Sequence, residues 1–295
     1  MKKLLIIGTS LAFATAVVRA DLANYQATVN GQSPASYFNF DNSLNANVGS
    51  GTFAGNGTTG FATDLFGNAN NALSVGANNA AYTLSTPNII SGAGSTVSSG
   101  SFSFLFNLGN ISATEYFFSD SENTSGTAGA TGAAASALTL DFSSSTFQFK
   151  VGNHSFSSAT YLPAPVANMW YYFAGTWNFN GATPTSDTVN WWIGSVGGSL
   201  VAGNNTLVPY TAFTSTTTVG DGGVLTLGNR RVLSNNSGPT SAAYDELATW
   251  NSQLTSDQVT AQFNALPAPE PSTYALLGIG GLLVLFARRK KLSGI

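Results

Sequence analysis

Thirteen acidic side chains, one histidine and no cysteine bound the chemistry open to this 295-residue chain. Proton transfer needs a positioned group that can take or give a proton. The histidine, His154, stands in Gly152-Asn153-His154-Ser155, a turn beside an expected strand, where a surface role outweighs a catalytic one. The lack of cysteine excludes thiolate nucleophiles, thiolate metal sites and disulfides, and a Ser-His-Asp triad would depend on His154 alone. No Gly-x-Ser-x-Gly nucleophile turn is present. Cleaving a glycosidic bond takes two carboxyls roughly 5 to 10 Å apart. Asp120-Ser121-Glu122 has the alternate spacing that could put both on one strand face, but it lies in a Ser-, Asn- and Gly-rich stretch. Asp245 and Glu246 are adjacent, so on a strand they point to opposite faces. No catalytic residue is assigned. Indoles offer a different chemistry, flat faces for sugar rings. Trp170, Trp177, Trp191, Trp192 and Trp250 all fall on expected strands, where most such rings pack in cores. In Trp191-Trp192 the two rings must take opposite faces, and this pair is the candidate ligand contact.

The elements that would carry these residues are strands. Between Asp21 and Leu266 no long helical periodicity occurs, whereas short runs of period-two alternation recur. Phe102, Phe104, Phe106 and Leu108 share one face. Leu138, Leu140 and Phe142 do so in one run and Phe147, Phe149 and Val151 in the next, with Ser143-Ser144-Ser145 between them as a hairpin turn. Met169–Trp177 and Thr188–Ile193 carry aromatic or apolar residues on both faces, as strands covered on both sides do. Ser36–Phe40, Tyr116–Ser119, Val224–Gly228 and Ala243–Trp250 complete the set. One helix is expected: Thr255 and Gln258 form a capping box, Val259 and Phe263 face the sheet, and the helix stops before Pro267. Hydrophobic residues make up 43% and charged ones only 8%, against about 25% charged in an ordinary soluble protein. Apart from the two ends, Lys150, Arg230 and Arg231 face twelve acids. Nucleic-acid binding requires clustered positive charge, and is set aside.

The ends carry addresses. Met1-Lys2-Lys3, the apolar run Leu4 to Val18 and the Val18-Arg19-Ala20 cleavage context describe a secretory signal peptide over residues 1–20, read by the Sec export machinery and cut by signal peptidase after Ala20. At the other end, Pro269-Glu270-Pro271 precedes an apolar stretch from Ser272 to Ala287 and then Arg288-Arg289-Lys290-Lys291. Sixteen helical residues rise roughly 24 Å, short of the about 30 Å bilayer core but able to span it with snorkelling or local thinning. The four cations hold that end in the cytoplasm, which leaves the bulk of the chain outside. Tripeptide, short helix and cationic end together resemble the PEP-CTERM sorting signal. The resemblance implies recognition and cutting by an exosortase in Gram-negative bacteria that make exopolysaccharide. The prolines keep the site extended for a protease groove.

The middle, too, resembles a family. Ala35–Leu44, Met169–Trp177, Thr188–Gly198, Leu225–Asn229 and Tyr244–Asn251 followed by Leu254–Val259 are similar, in that order, to the strands of LamG-like, concanavalin A-like domains. Tyr171-Tyr172 departs from that family's usual His pair, and Thr124–Ser136 is a loose insertion. The fold class implied is all-β, a two-sheet antiparallel jelly-roll sandwich with one short C-terminal helix. The chain then divides into a signal peptide (1–20), a sandwich domain (21–266) and a sorting and anchor segment (267–295) with a transmembrane helix at about 272–287. The related glucanases carry a strand of alternating acids that this chain lacks. The resemblance also directs Asp245 inward or toward a rim, where it either accepts backbone hydrogen bonds or helps hold a structural Ca²⁺ with Asp41 and Asn42 nearby; such an ion wants several hard oxygens. The combined expectation is an exported, surface-tethered, non-enzymatic protein that binds carbohydrate or matrix components in an exopolysaccharide setting. A glucanase-type hydrolase and a structural matrix protein without a specific ligand are the alternatives.

Overall fold

The computed structural model describes residues 22–77, 79–84, 99–110, 115–121, 138–143, 146–151, 154–157, 165–178, 188–203, 224–229 and 241–267. The signal peptide expected over 1–20 and the span expected at 272–287 lie outside them. Among the described residues no helix is long and apolar enough to cross a membrane.

Two antiparallel sheets form the body. Among the described residues, one holds eight strands: β1 (Ser36–Phe38), β3 (Thr59–Ala62), β4 (Ala72–Val75), β6 (Ser99–Leu108), β11 (Trp170–Asn178), β12 (Thr188–Ser195), β13 (Val201–Ala202) and β15 (Ala242–Trp250). Its order is β13-β12-β11-β6-β15-β4-β3, and β1 also joins β15. The other holds seven: β2 (Ala54–Asn56), β5 (Ala81–Leu84), β7 (Glu115–Ser121), β8 (Leu138–Ser143), β9 (Thr146–Val151), β10 (His154–Ser157) and β14 (Val224–Leu227), in the order β10-β9-β8-β7-β14-β5-β2. The hairpin expected around Ser143–Ser145 is β8–β9, with Ser143 opposite Thr146.

Alternation explains how the sheets meet. Phe102, Phe104, Phe106 and Leu108 all enter the core between the sheets, where Leu140, Phe147, Phe149, Leu225 and Leu227 meet them from the other side. Phe102 stacks on Phe118 with ring centroids 4.4 Å apart and planes 5° from parallel. Each such ring withdrawn from water stabilises the fold by roughly 2–3 kcal/mol, so the sandwich holds without disulfides. On the seven-stranded sheet the residues that alternate away from this core are polar: Thr83, Ser119 and Thr226, all buried, and, on β9, the partly exposed Gln148.

The eight-stranded sheet is apolar on its other face as well. Leu105, Tyr172, Ala174, Trp192, Ala248 and Trp250 form a second core beneath two helices. One is the expected helix, α2 (Ser256–Asn264), capped by Thr255: Gln258 N–H donates to its hydroxyl at 3.2 Å, and Thr255 N–H donates to Gln258 Oε1 at 2.9 Å. Val259 is buried beneath it, and Phe263 packs on Tyr172. The other, α1 over 22–31, corrects the one-helix expectation. Leu22, Tyr25 and Val29 recur at i, i+3 and i+7, and Tyr25 and Val29 are fully buried on the sheet. Ten residues carry too little periodicity to announce a helix alone; packing of the apolar stripe supplies the stability.

Candidate functional site

Strand β15 is where the acidic candidates converge. It pairs with β6 along its length, but the register slips: Asp245 faces Leu105 and Ala248 faces Ser103. One extra residue on β15 makes a β-bulge. On the opposite edge β4 pairs with Ala242–Tyr244 and β1 with Leu247–Thr249, so the bulge sits in the gap between them. Glu246 takes φ 55° there, a left-handed backbone that disfavours any residue with a Cβ. Three contacts hold it. Asp245 Oδ1 accepts the Glu246 N–H at 2.8 Å. Gln26 of α1 donates its Nε2 to Glu246 Oε1 at 3.1 Å, and the Tyr37 hydroxyl of β1 donates to Oε2. Glu246 thus ties α1 and β1 to the irregular point of the sheet. Burial pushes its carboxyl up to about 8, only partly offset by Gln26.

Asp245, 1% exposed, is raised well above the usual carboxylate range, chiefly by burial and then by Asp64 and Asp41. Asp41 is raised as well, by partial burial and by Asp64. Asp64, which the sequence did not single out, is a source of like charge for both. Its Oδ1 accepts Asn68 N–H at 2.7 Å and its Oδ2 accepts Asn68 Nδ2 at 2.8 Å, closing the loop between β3 and β4. Asn42 N–H donates to Asn70 O at 2.9 Å, which brings the Asp41 loop against it. The spacing of Asp64 and Asn68 in a Gly-containing turn was the available signal. The two sequence candidates, Asp245 and Asp41, do share one neighbourhood. Its donors are hard oxygens, and a divalent cation would relieve the repulsion among the acids. No three His, Cys, Asp or Glu side chains among the described residues converge as a metal cage.

A second polar clasp joins the helices. Gln262 Nε2 donates to Gln32 Oε1 at 2.6 Å, Tyr172 OH to Gln262 Oε1 at 2.8 Å, and Gln32 Nε2 to Gln258 O at 3.0 Å. Trp250 Nε1 donates to Gln32 O at 3.0 Å.

The tryptophan pair is placed otherwise than expected. Its rings do take opposite faces, but both faces are covered. Trp191 is 1% exposed in the core between the sheets, and Trp192 is 6% exposed in the core beneath the helices. Trp191 also lies against Gly203, where a Cβ would come within 1.6 Å of the indole. Neither ring is open to a sugar. Among the described residues the exposed large apolar side chains are Val166 and Met169. Pro269, Glu270, Pro271, Arg288, Arg289, Lys290 and Lys291 lie outside the described residues, as do Glu122 and the imidazole of His154.

Among curated proteins no relative matches this chain by sequence. Solved structures match its fold. The ligand binding domain of botulinum neurotoxin serotype D, in complex with N-acetylneuraminic acid, superposes with a TM-score of 0.54 at 12% identity over 81% of this chain and 52% of that one. Another structure of the serotype D binding domain gives 0.53 at 12% identity, over 80% and 52%. Domain 4 of AbnA, a GH43 extracellular arabinanase from Geobacillus stearothermophilus, in complex with arabinotriose, gives 0.49 at 18% identity, over 78% and 97%. This chain spans about half the length of the toxin binding domains it matches, and at these identities the likeness is one of β-sandwich fold. At the other end of the molecule, residues 267–291 match the PEP-CTERM protein-sorting motif, and the chain carries that motif directly after its sandwich.

Proposed function

We propose that this is an exported protein without catalytic activity, held at the cell envelope by its C-terminal helix until an exosortase processes the tail. Its sandwich then binds carbohydrate or another matrix component in an exopolysaccharide layer. The sorting motif at 267–291 carries this reading. Ala265 and Leu266, 6% and 7% exposed, are the last buried residues of the described chain, and the motif opens at the next residue, Pro267. Export through a signal peptide over 1–20, by the Sec machinery and signal peptidase, belongs to the same reading.

The binding role draws support from fold neighbours that include a toxin domain in complex with N-acetylneuraminic acid. Fold alone does not choose a ligand. Among the described residues, Asp245 and Glu246 give no support to a glucanase-type hydrolase, because they are buried and used to hold the bulge. One observation favours the second reading, a structural matrix protein without a specific ligand: no aromatic ring is among the exposed large hydrophobic side chains of the described residues. A structural Ca²⁺ near Asp245 and Asp41 is proposed alongside. Asp245, Asp41 and neighbouring carbonyl oxygens would hold it, and its chemistry there would be charge neutralisation.

Deleting residues 267–295 tests the tethering. The truncated chain is expected in the medium while the intact chain stays with the envelope; equal retention of both would overturn the reading. A glycan array on the mature protein separates ligand binding from a purely structural role, and release of sugar from β-glucan would reinstate the hydrolase. Chelation that leaves the melting temperature unchanged removes the calcium.

A further inference from the structure

Both ends of the folded domain leave from one side of it. Leu22, at the start of α1, and Leu266, just after α2, pack into the same core on the outer face of the eight-stranded sheet. The Gln32–Gln262–Tyr172 clasp fixes the two helices together on that face. The domain stays packed up to Leu266, so little slack separates it from the tail. From Leu266 to Ser272 is six residues, a reach of about 20 Å at full extension, and Glu270 lies within about 14 Å. The outer face of the seven-stranded sheet lies about 20 Å away, across one helix layer and one sheet-to-sheet spacing of about 10 Å each, so the tether reaches it only when fully extended.

Charge agrees with this geometry. Over the described residues of α1 and α2, the single ionisable acid or base is Asp257 apart from the buried tyrosine, Tyr25. The exposed residues are Ala23, Asn24, Ala27, Asn30 and Gly31 on α1 and Ser256, Asp257, Thr260, Ala261 and Asn264 on α2. A face with a single exposed acid is repelled only weakly by anionic headgroups.

We propose that the α1–α2 face is the side of the domain apposed to the membrane, and that the outer face of the seven-stranded sheet is turned away from it, toward the matrix. The occupant of the helical face is the lipid surface that holds the tail. This orientation rests on the anchoring reading above.

The cysteine-free chain permits a direct test. Thr260→Cys on α2 and Gln148→Cys on the seven-stranded sheet are each labelled with a fluorophore in the full mature chain. Each is reconstituted into phosphatidylcholine–phosphatidylglycerol vesicles containing a headgroup spin-label quencher. Quenching is expected to be at least about twofold stronger at position 260 than at 148, given a separation of roughly two structural layers. Equal or reversed quenching with the protein still floating with the vesicles overturns the orientation alone. Failure to float with the vesicles overturns the anchoring and the orientation with it.

Discussion

Replacing Glu246 by glutamine should change the pH dependence of stability in a definite direction. The carboxyl titrates at about 8 in the folded chain against an ordinary 4.5, because burial disfavours its charged form. Between those values the folded state keeps a proton that the unfolded state has released. The stability contributed by the protonated form is full below 4.5, declines as pH rises, and is lost once pH passes about 8. At about 1.4 kcal/mol per pH unit, the whole window is worth up to roughly 5 kcal/mol. Asp245, raised by burial and by Asp64 and Asp41, tilts stability the same way. Tyr25 and Tyr172, whose hydroxyls burial pushes further up, stay neutral through the window. Glu246→Gln is neutral at every pH, and the Tyr37 hydroxyl can turn to suit the amide. Urea denaturation of the mature chain, followed by tryptophan fluorescence in EDTA, reads the effect. Wild type should lose stability from about pH 5 to about pH 9, and the variant should lose at least about 2 kcal/mol less. Parallel pH profiles for the two proteins would refute the reasoning.

Four further substitutions test the packing by thermal or urea denaturation. Gly203→Ala drives a Cβ to 1.6 Å from the Trp191 indole and should cost about 2 kcal/mol or more, whereas Gly31→Ala, with nothing within 4 Å, should be near neutral. Ser101→Ala removes a hydroxyl that accepts from Leu254 N–H at 2.7 Å and donates to Ser252 O at 2.8 Å, and should cost about 1–3 kcal/mol. Thr255→Ala removes the α2 cap and should cost about 1 kcal/mol.

Regular strands and one capped helix were legible because their signals are local. The Phe102–Leu108 alternation needs only a pleat, and Thr255–Gln258 needs only four consecutive residues. The site was less legible because it arises where regularity fails. Ala242–Trp250 reads as one uninterrupted strand, yet it carries a bulge at Glu246 whose backbone conformation is held by Gln26, Tyr37 and Asp245. Those partners are distant in sequence or, for Asp245, indistinguishable by type from a solvent-facing acid. For Trp191 and Trp192 the alternation was sound, but what covers each face is tertiary: the opposite sheet for one ring, the helix-covered core for the other.

The same irregularity connects stability with placement at the envelope. A regular β15 would have offered α1 only apolar contacts, which fix a helix weakly in direction. The buried Glu246 adds directional bonds to α1 and β1 at one point, and the Gln32–Gln262 pair adds another between α1 and α2. Together they make the helices a rigid continuation of the sheet. A sandwich without these bonds could remain folded while its terminal helices frayed, and the tether would lengthen by every residue released. Glu246→Ala combined with Gln32→Ala, which removes both sets of bonds, should therefore weaken the position-dependent quenching before it unfolds the sheets, and unchanged quenching in a variant whose helices exchange amide hydrogen freely would break the link between clasp and orientation.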